Sequence, residues 1–279
     1  MRQRQCGALR GWGVWRLGLW AMMVVGACTI ANAAPTDLYQ AQTVVTGQGE
    51  DNRRAAFAAC LEDVLIKVSG AFQLRNDARL APLEARAAEF VIGFDYHDQM
   101  SGKPKHDEQG TRDRPYDLTV SFDRARIDQL LASLNIKPWP APRPSIAVIV
   151  AMTSGGRTFF VASDDRRTDL QRDALRAAAV KRGLEIALPS ASEVSKAAIE
   201  RTKLNDVQPA AVAPWFPGAD VMLFGDLTWD DAELGWVTQW RLDRAGKQDR
   251  WQFRGVTFDE AFRRALGGAA QLLSDNGAP

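Results

Sequence analysis

Apolar positions recur along this chain with two periods, and the switches between them mark out its elements. Residues 38–45 favour a strand, with β-branched residues at the end, and Thr46-Gly47-Gln48-Gly49 breaks it. A helix follows with Asp51 as its cap. Phe57, Cys60, Leu61, Val64, Leu65 and Val68 return at helical spacing until Gly70 stops it. Residues 80–89 read as a second, shorter helix, and residues 90–96 and 116–122 as strands. In the latter, Leu118, Val120 and Phe122 alternate with Asp117, Thr119 and Ser121, the period-two signature of a half-buried strand. Residues 98–115 between them are too polar to enter a core. Asp123 caps a helix whose inward face is Ile127, Leu130, Leu131 and Leu134.

Lys137-Pro138-Trp139-Pro140-Ala141-Pro142-Arg143-Pro144 then interrupts every periodicity, because prolines at this density suit neither a helix nor a central strand. It reads as a stiff linker. Beyond it, residues 146–152 form a continuous apolar run that suits a buried strand. Ser154-Gly155-Gly156-Arg157 turns the chain back into residues 158–162. Thr168 and Gln171 form a capping box for a helix that runs to about Arg182, with Gly183 as its stop. A strand at 184–188, a modest helix at 192–203 and strands at 220–229, 235–242 and 250–256 come next. Thr257 and Glu260 make a second capping box, opening a helix with Phe262, Ala265, Leu266, Ala269 and Leu273 inward. The expectation is an α+β protein of two small domains. Residues 34–136 form a β-α-α-β-β-α unit, 137–144 a linker, and 145–279 a mixed sheet with helices packed on it.

Residues 1–33 stand apart. Arg2, Arg4, Arg10 and Arg16 precede an apolar run at 17–27, and Ala31-Asn32-Ala33 closes it, the three parts of a secretory signal peptide. The run is about 11 residues, short of the roughly 20 of a spanning helix. Cleavage is expected between Ala33 and Ala34, giving an exported periplasmic protein. Val25-Gly26-Ala27-Cys28 also has the form of a lipidation site at Cys28, and an uncleaved anchor is the third reading. No acidic residue precedes Asp37, so removing the four arginines takes the formal charge from +1 to −3. That balance argues against nucleic-acid binding, which wants a basic face. Cys60 is left alone after cleavage, so no internal disulfide is available and the fold rests on its cores.

Candidate chemistry is sparse. Gly155-Gly156 after a buried strand has neither P-loop nor dinucleotide spacing, and a hairpin turn accounts for it. His97 and His106, with Asp95, Asp98, Asp107 and Glu108, lie in or beside the polar loop with no named metal-motif spacing. No G-x-S-x-G segment occurs. Asp164-Asp165 and Asp230-Asp231 read as turn doublets, although a glycosidase pair is assembled only in three dimensions. Cys60, on an apolar helix face, reads as a buried small hydrophobe rather than a reactive thiol. Tryptophan is the unusual usage. Trp215, Trp229, Trp236, Trp240 and Trp251 all fall in the last third. Trp236 and Trp240 share a sheet face by their spacing, and Trp229 and Trp251 join them from neighbouring strands. That face either packs under the last helix or forms an exposed platform for a glycan or a protein.

Several segments together resemble domain-of-unknown-function family 2066, a family of exported proteobacterial proteins. They are Ala55-Ala56-Phe57, Asp63-Val64-Leu65-Ile66-Lys67-Val68-Ser69-Gly70, Val120-Ser121-Phe122-Asp123, Ile136-Lys137-Pro138-Trp139 and Arg143-Pro144. Further on, Lys181-Arg182-Gly183-Leu184, Phe224-Gly225-Asp226-Leu227 and Trp236-Val237-Thr238-Gln239-Trp240-Arg241-Leu242 extend the likeness over nearly all of the chain after the leader. The second half, through Ala219-Asp220 to Gly225, is also similar to α/β domains of the Tol translocation protein, the curli assembly protein and penicillin-binding-protein activator lipoproteins. The resemblance implies a protein that binds other envelope components, and fold-level likeness carries little beyond that. The expectation is therefore a non-catalytic periplasmic binding or assembly factor without a cofactor or metal. Its partner would be an envelope protein or a glycan, with membrane contact only through a lipidated Cys28 or a retained leader. A periplasmic hydrolase with a carboxylate acid/base pair is the alternative from another class, and a glycan-binding module using the tryptophan face is the third.

Overall fold

A computed structural model describes residues 37–102, 114–196, 204–244 and 246–279. The first strand, β1 (Gln40–Thr46), buries Ala41 and Val45 and turns Gln40, Gln42 and Val44 outward. Helix α1 (Glu50–Ser69) then lays Phe57, Cys60, Leu61, Val64, Leu65 and Val68 against the sheet. Gly49, not Asp51, stands at its N-cap, and Gly70 ends it in the left-handed region.

The helix expected at 80–89 is not continuous. A four-residue turn, α2 (Ala81–Glu84), sits between 3-10 turns at Ala78–Leu80 and Ala87–Phe90. Leu80, Leu83, Ala87 and Phe90 face the core at helical spacing, but the backbone leaves the helix after Glu84 and resumes only as a 3-10 turn at Ala87. Strands β2 (Val91–Asp98) and β3 (Pro115–Phe122) and helix α3 (Arg124–Ser133) complete this unit. Asp123 caps α3 by accepting the Arg126 N–H at 3.0 Å. The strand order is β1-β3-β2, all antiparallel, so β1 and β2 are both edges.

The second sheet is built on β4 (Ile146–Ser154), which is buried over most of its length. A two-residue turn leads to β5 (Arg157–Phe160), with Gly155 and Gly156 both at positive φ as a type I′ hairpin requires. Helix α4 (Asp169–Arg182) follows. Its expected capping box does not form: the Thr168 hydroxyl donates to Asp165 O, and Asp165 caps the preceding turn instead. The strand expected at 184–188 shrinks to β6 (Ile186–Ala187). Next come α5 (Ala191–Lys196), α6 (Pro209–Val212), β7 (Val221–Asp230), β8 (Gly235–Arg244), β9 (Lys247–Val256) and α7 (Phe258–Leu273). The sheet order is β5-β4-β7-β8-β9, with β6 also on β4. The β4–β7 and β4–β6 pairs are parallel and the others antiparallel. The architecture is α+β. Helices α4 and α7 cover one face of this sheet around Val148, Val150, Leu223, Trp240, Phe262 and Leu266. The segments carrying Val194, Leu204, Val212 and Phe216 cover β4 and β7 on the other.

The described residues from 37 to 279 fold as one compact unit although each sheet has its own core. Arg143, in the proline-rich segment, joins them. Its guanidinium donates to Lys67 O at 2.7 Å, to Arg182 O at 2.9 Å and to Trp139 O at 2.7 Å, and it stacks on the Trp139 ring at 4.3 Å. Lys67 and Arg182 lie in the last turns of α1 and α4, so one side chain satisfies terminal carbonyls of two helices from two cores. Beside it, Phe72 fills the space over Gly267 of α7, where an added Cβ would meet the ring at 2.5 Å. Gln271 accepts the Gln73 N–H at 2.9 Å, and Asn276 donates to Ser69 O at 2.8 Å.

Candidate binding groove along the first strand

The four tryptophans do share a sheet face, and α7 roofs it. Trp240 is fully buried, meets Phe262 edge-on at 6.3 Å and donates its indole N–H to the Thr238 hydroxyl at 3.1 Å. Its six-membered ring fills the place of a side chain at Gly225, where a Cβ would lie 2.2 Å from the ring. Trp236 is also buried, against Trp229 at 5.7 Å. Trp229 and Trp251 are half-buried and pack against the same core.

The other candidates are likewise spent on structure. Asp230 accepts the Ala232 and Glu233 N–H groups in the β7–β8 turn, and Asp164 accepts the Ala191 N–H at 2.8 Å. Asp98 binds Arg114 at 2.8 Å. His97 lies in β2, while His106, Asp107 and Glu108 fall outside the described residues, as do Cys28, Ala33 and Ala34. Among the described residues no group of three or more ligating side chains is placed to hold a metal, and no helix is long and apolar enough to cross a membrane. Cys60 is fully buried, and burial, helped by Asp63, pushes its thiol up to about 12.

Sequence reasoning missed a groove of about 540 Å³ between the two cores. One wall is β1 with Gln40, Ala41 and Gln42. The other is α4, which presents Ala174, Ala177, Ala178, Val180 and Lys181, with Asp259 and Arg263 of α7 beside it. Asp63 and Lys67 of α1, one turn apart, close the groove where α4 ends. Asp63 holds Lys181 at 3.1 Å and Arg182 at 3.6 Å. The buried ammonium of Lys67 donates to Gln40 O at 2.6 Å; desolvation lowers its pKa, while Asp63 and Asp37 oppose that shift. Burial likewise lowers the pKa of Arg182, against the pull of Asp63.

The β1 wall is a free strand edge. Phe122 N–H reaches Tyr39 O at 2.9 Å and Gly47 N–H reaches Arg114 O at 2.8 Å. With the Gln40–Ser121 register, these bonds place the odd-numbered backbone groups of β1 toward β3 and the even-numbered ones away from it. Of the latter, Gln40 O is taken by Lys67, and Thr46 O by the Asn52 side chain. Gln42 and Val44 keep N–H and C=O groups without a protein partner among the described residues, and both residues are exposed.

Residues 33–140 match a family described as Domain of unknown function (DUF8605). The match spans the β1–α3 unit, including the β1 wall of the groove, and ends inside the proline-rich segment. No curated protein matches the chain.

Proposed function

We propose that this chain is a non-catalytic binding or assembly factor of the bacterial envelope. Its leader-like residues 1–33 direct it there, and it works through the groove between its cores. The observation that carries this reading is the edge of β1, uncharged in its own residues and open at Gln42 and Val44, across a groove from the short side chains of Ala174, Ala177 and Ala178. Such a surface offers backbone hydrogen bonds and room for a chain, which is a means of holding a partner. The groove's charged groups are balanced, with Asp37, Asp63 and Asp259 against Lys67, Lys181 and Arg263. Asp63 is committed to Lys181 and Arg182. A hydrolase built on this groove would be left with Asp37 and Asp259, its other two carboxylates.

Cross-linking in living cells, with capture of the tagged chain and mapping of the cross-links, tests the proposal. An envelope partner joined at α4 or β1 supports it. Recovery of an uncomplexed chain, with a hydrolytic activity that Asp259→Asn abolishes, would replace it with the enzyme. Intact mass of the exported form decides the leader: a start at Ala34 without lipid agrees with cleavage after Ala33, and a lipidated Cys28 overturns it.

A further inference from the structure

The four sheet edges of this protein are not treated alike. An exposed edge invites pairing with another chain, and proteins blunt it with charge, bulges, short length or a cover. Strand β9 carries Lys247, Asp249, Arg250 and Arg254. Strand β2 carries Asp95, His97 and Asp98 and has a register break between Val91 and Gly93. The edge beside β4 is divided between β5 and β6, of four and two residues. Strand β1 is covered only at its ends among the described residues, where Lys67 takes Gln40 O and Asn52 takes Thr46 O, and its middle is bare. Its seven residues, Gln40 to Thr46, include no charge and no proline, and its pairing with β3 is unbroken.

We infer that β1 is left open to receive one extended segment of a partner polypeptide, which adds as a fourth strand to the first sheet. This rests on the binding-factor reading above and names how the groove binds. Gln42 and Val44 offer their N–H and C=O groups on the side away from β3, the side from which Lys67 reaches Gln40 O. Across the groove, α4 presents the short side chains of Ala174, Ala177 and Ala178 together with Val180, and they leave a space of about 540 Å³ open beside β1. Alternate side chains of the added strand face these alanines and the inner surface of the sheet, and must be small. The intervening ones lie on the outer face beside Gln42 and Val44, and are polar or β-branched.

Charge sets one further demand. Lys181 is paired with Asp63, Arg263 with Glu260, and the Lys67 ammonium is committed to Gln40 O, whereas Asp37 and Asp259 are in no ion pair among the described residues. The occupant therefore carries a lysine or arginine near one end of the extended stretch.

Random twelve-residue peptides displayed on phage, selected against the purified chain, supply the probe. The expected winners alternate small and polar residues with a flanking basic residue. On binding, amide exchange at Gln42 and Val44 slows. Gln42→Pro and Val44→Pro remove only the outward N–H, since the bonds to β3 come from their neighbours. Each should weaken binding by about tenfold or more, and Asp37→Asn with Asp259→Asn should weaken it most at low salt. N-methylating the peptide at alternate residues gives a readout that leaves the protein untouched: one set of positions abolishes binding and the other spares it. Selection of no peptide overturns the proposal. So does a peptide whose affinity is indifferent to both prolines, or to the methylation register. An envelope partner cross-linked through another surface would retire the groove and leave the binding-factor reading intact. Peptides that bind as described, with no partner in cells, would do the reverse.

Discussion

Replacing Arg143 with alanine should loosen the join between the two cores before either core fails. The guanidinium is half-buried or more, and desolvation pulls its pKa down to about 10, so it remains charged at neutral pH. Its contacts to Lys67 O, Arg182 O and Trp139 O are charge-assisted hydrogen bonds, each worth roughly 1.5–3 kcal/mol in a favourable setting. Stacking on Trp139 adds about 0.5–2 kcal/mol. Against these stands the desolvation of a charge that faces carbonyls rather than a carboxylate, a penalty of several kcal/mol. The net loss on truncation should be about 3 kcal/mol, much of it from helix-terminal carbonyls left without a donor. For a chain of this size that corresponds to roughly 6–12 °C in Tm. Arg143→Lys should recover less than half, because one ammonium lacks the planar fork that reaches both helices. Urea unfolding followed by two probes makes the test specific. Indole fluorescence reports mainly the second core and Cys60 labelling the first, so the midpoints should coincide in the parent and separate in Arg143→Ala. A variant within about 0.5 kcal/mol of the parent, or full rescue by lysine, would refute the clamp.

Three further outcomes follow from the same contacts. Gly225→Ala forces a Cβ into the Trp240 ring and should destabilise by roughly 1–3 kcal/mol, with a changed near-UV spectrum; an unaffected protein would mean that the ring is free to move. Cys60 should resist thiol reagents at neutral pH until the chain unfolds. Because folding raises its pKa from 9.0 to about 12, its contribution to stability is complete below pH 9 and is lost between pH 9 and 12; Cys60→Ala should flatten that part of the stability profile. Acrylamide should quench Trp229 and Trp251 in part and leave Trp240 dark to it, as single-tryptophan variants would show.

Much of this fold is legible in the pattern of apolar residues. The alternation at Leu118, Val120 and Phe122 marks β3, and the spacing of Phe57, Cys60, Leu61 and Val64 marks α1, because each element buries one regular stripe. Thr257 caps α7 as the sequence implies, accepting the Glu260 N–H at 3.3 Å. The reciprocal half of that box is replaced, since the Glu260 carboxylate holds Arg75, Arg263 and Arg264 instead. The broken stretch around α2 is illegible for another reason. Leu80, Ala87 and Phe90 keep the i, i+7, i+10 spacing of one helix face, so the pattern reads as a single helix and nothing in it marks the breaks. The groove is harder still to see. Residues 38–45 read as an ordinary strand, and only the order β1-β3-β2 makes β1 an edge. The alanines of α4 likewise look like helix filler until α1 and β1 are brought opposite them.

The join between the cores also governs the order in which the molecule can assemble. Pairs such as Gln73–Gln271 and Ser69–Asn276 are separated by 198 and 207 positions. Within the first unit, α1 closes on β1 over a few residues. Contacts that close long loops form late, after local ones have paid their smaller entropy. The first sheet can therefore be complete, with the edge of β1 exposed, while α7 has yet to arrive. During that interval the edge has no opposing wall and pairs with any strand offered. Docking of α4 and α7 is the event that turns an indiscriminate edge into a groove with a size limit.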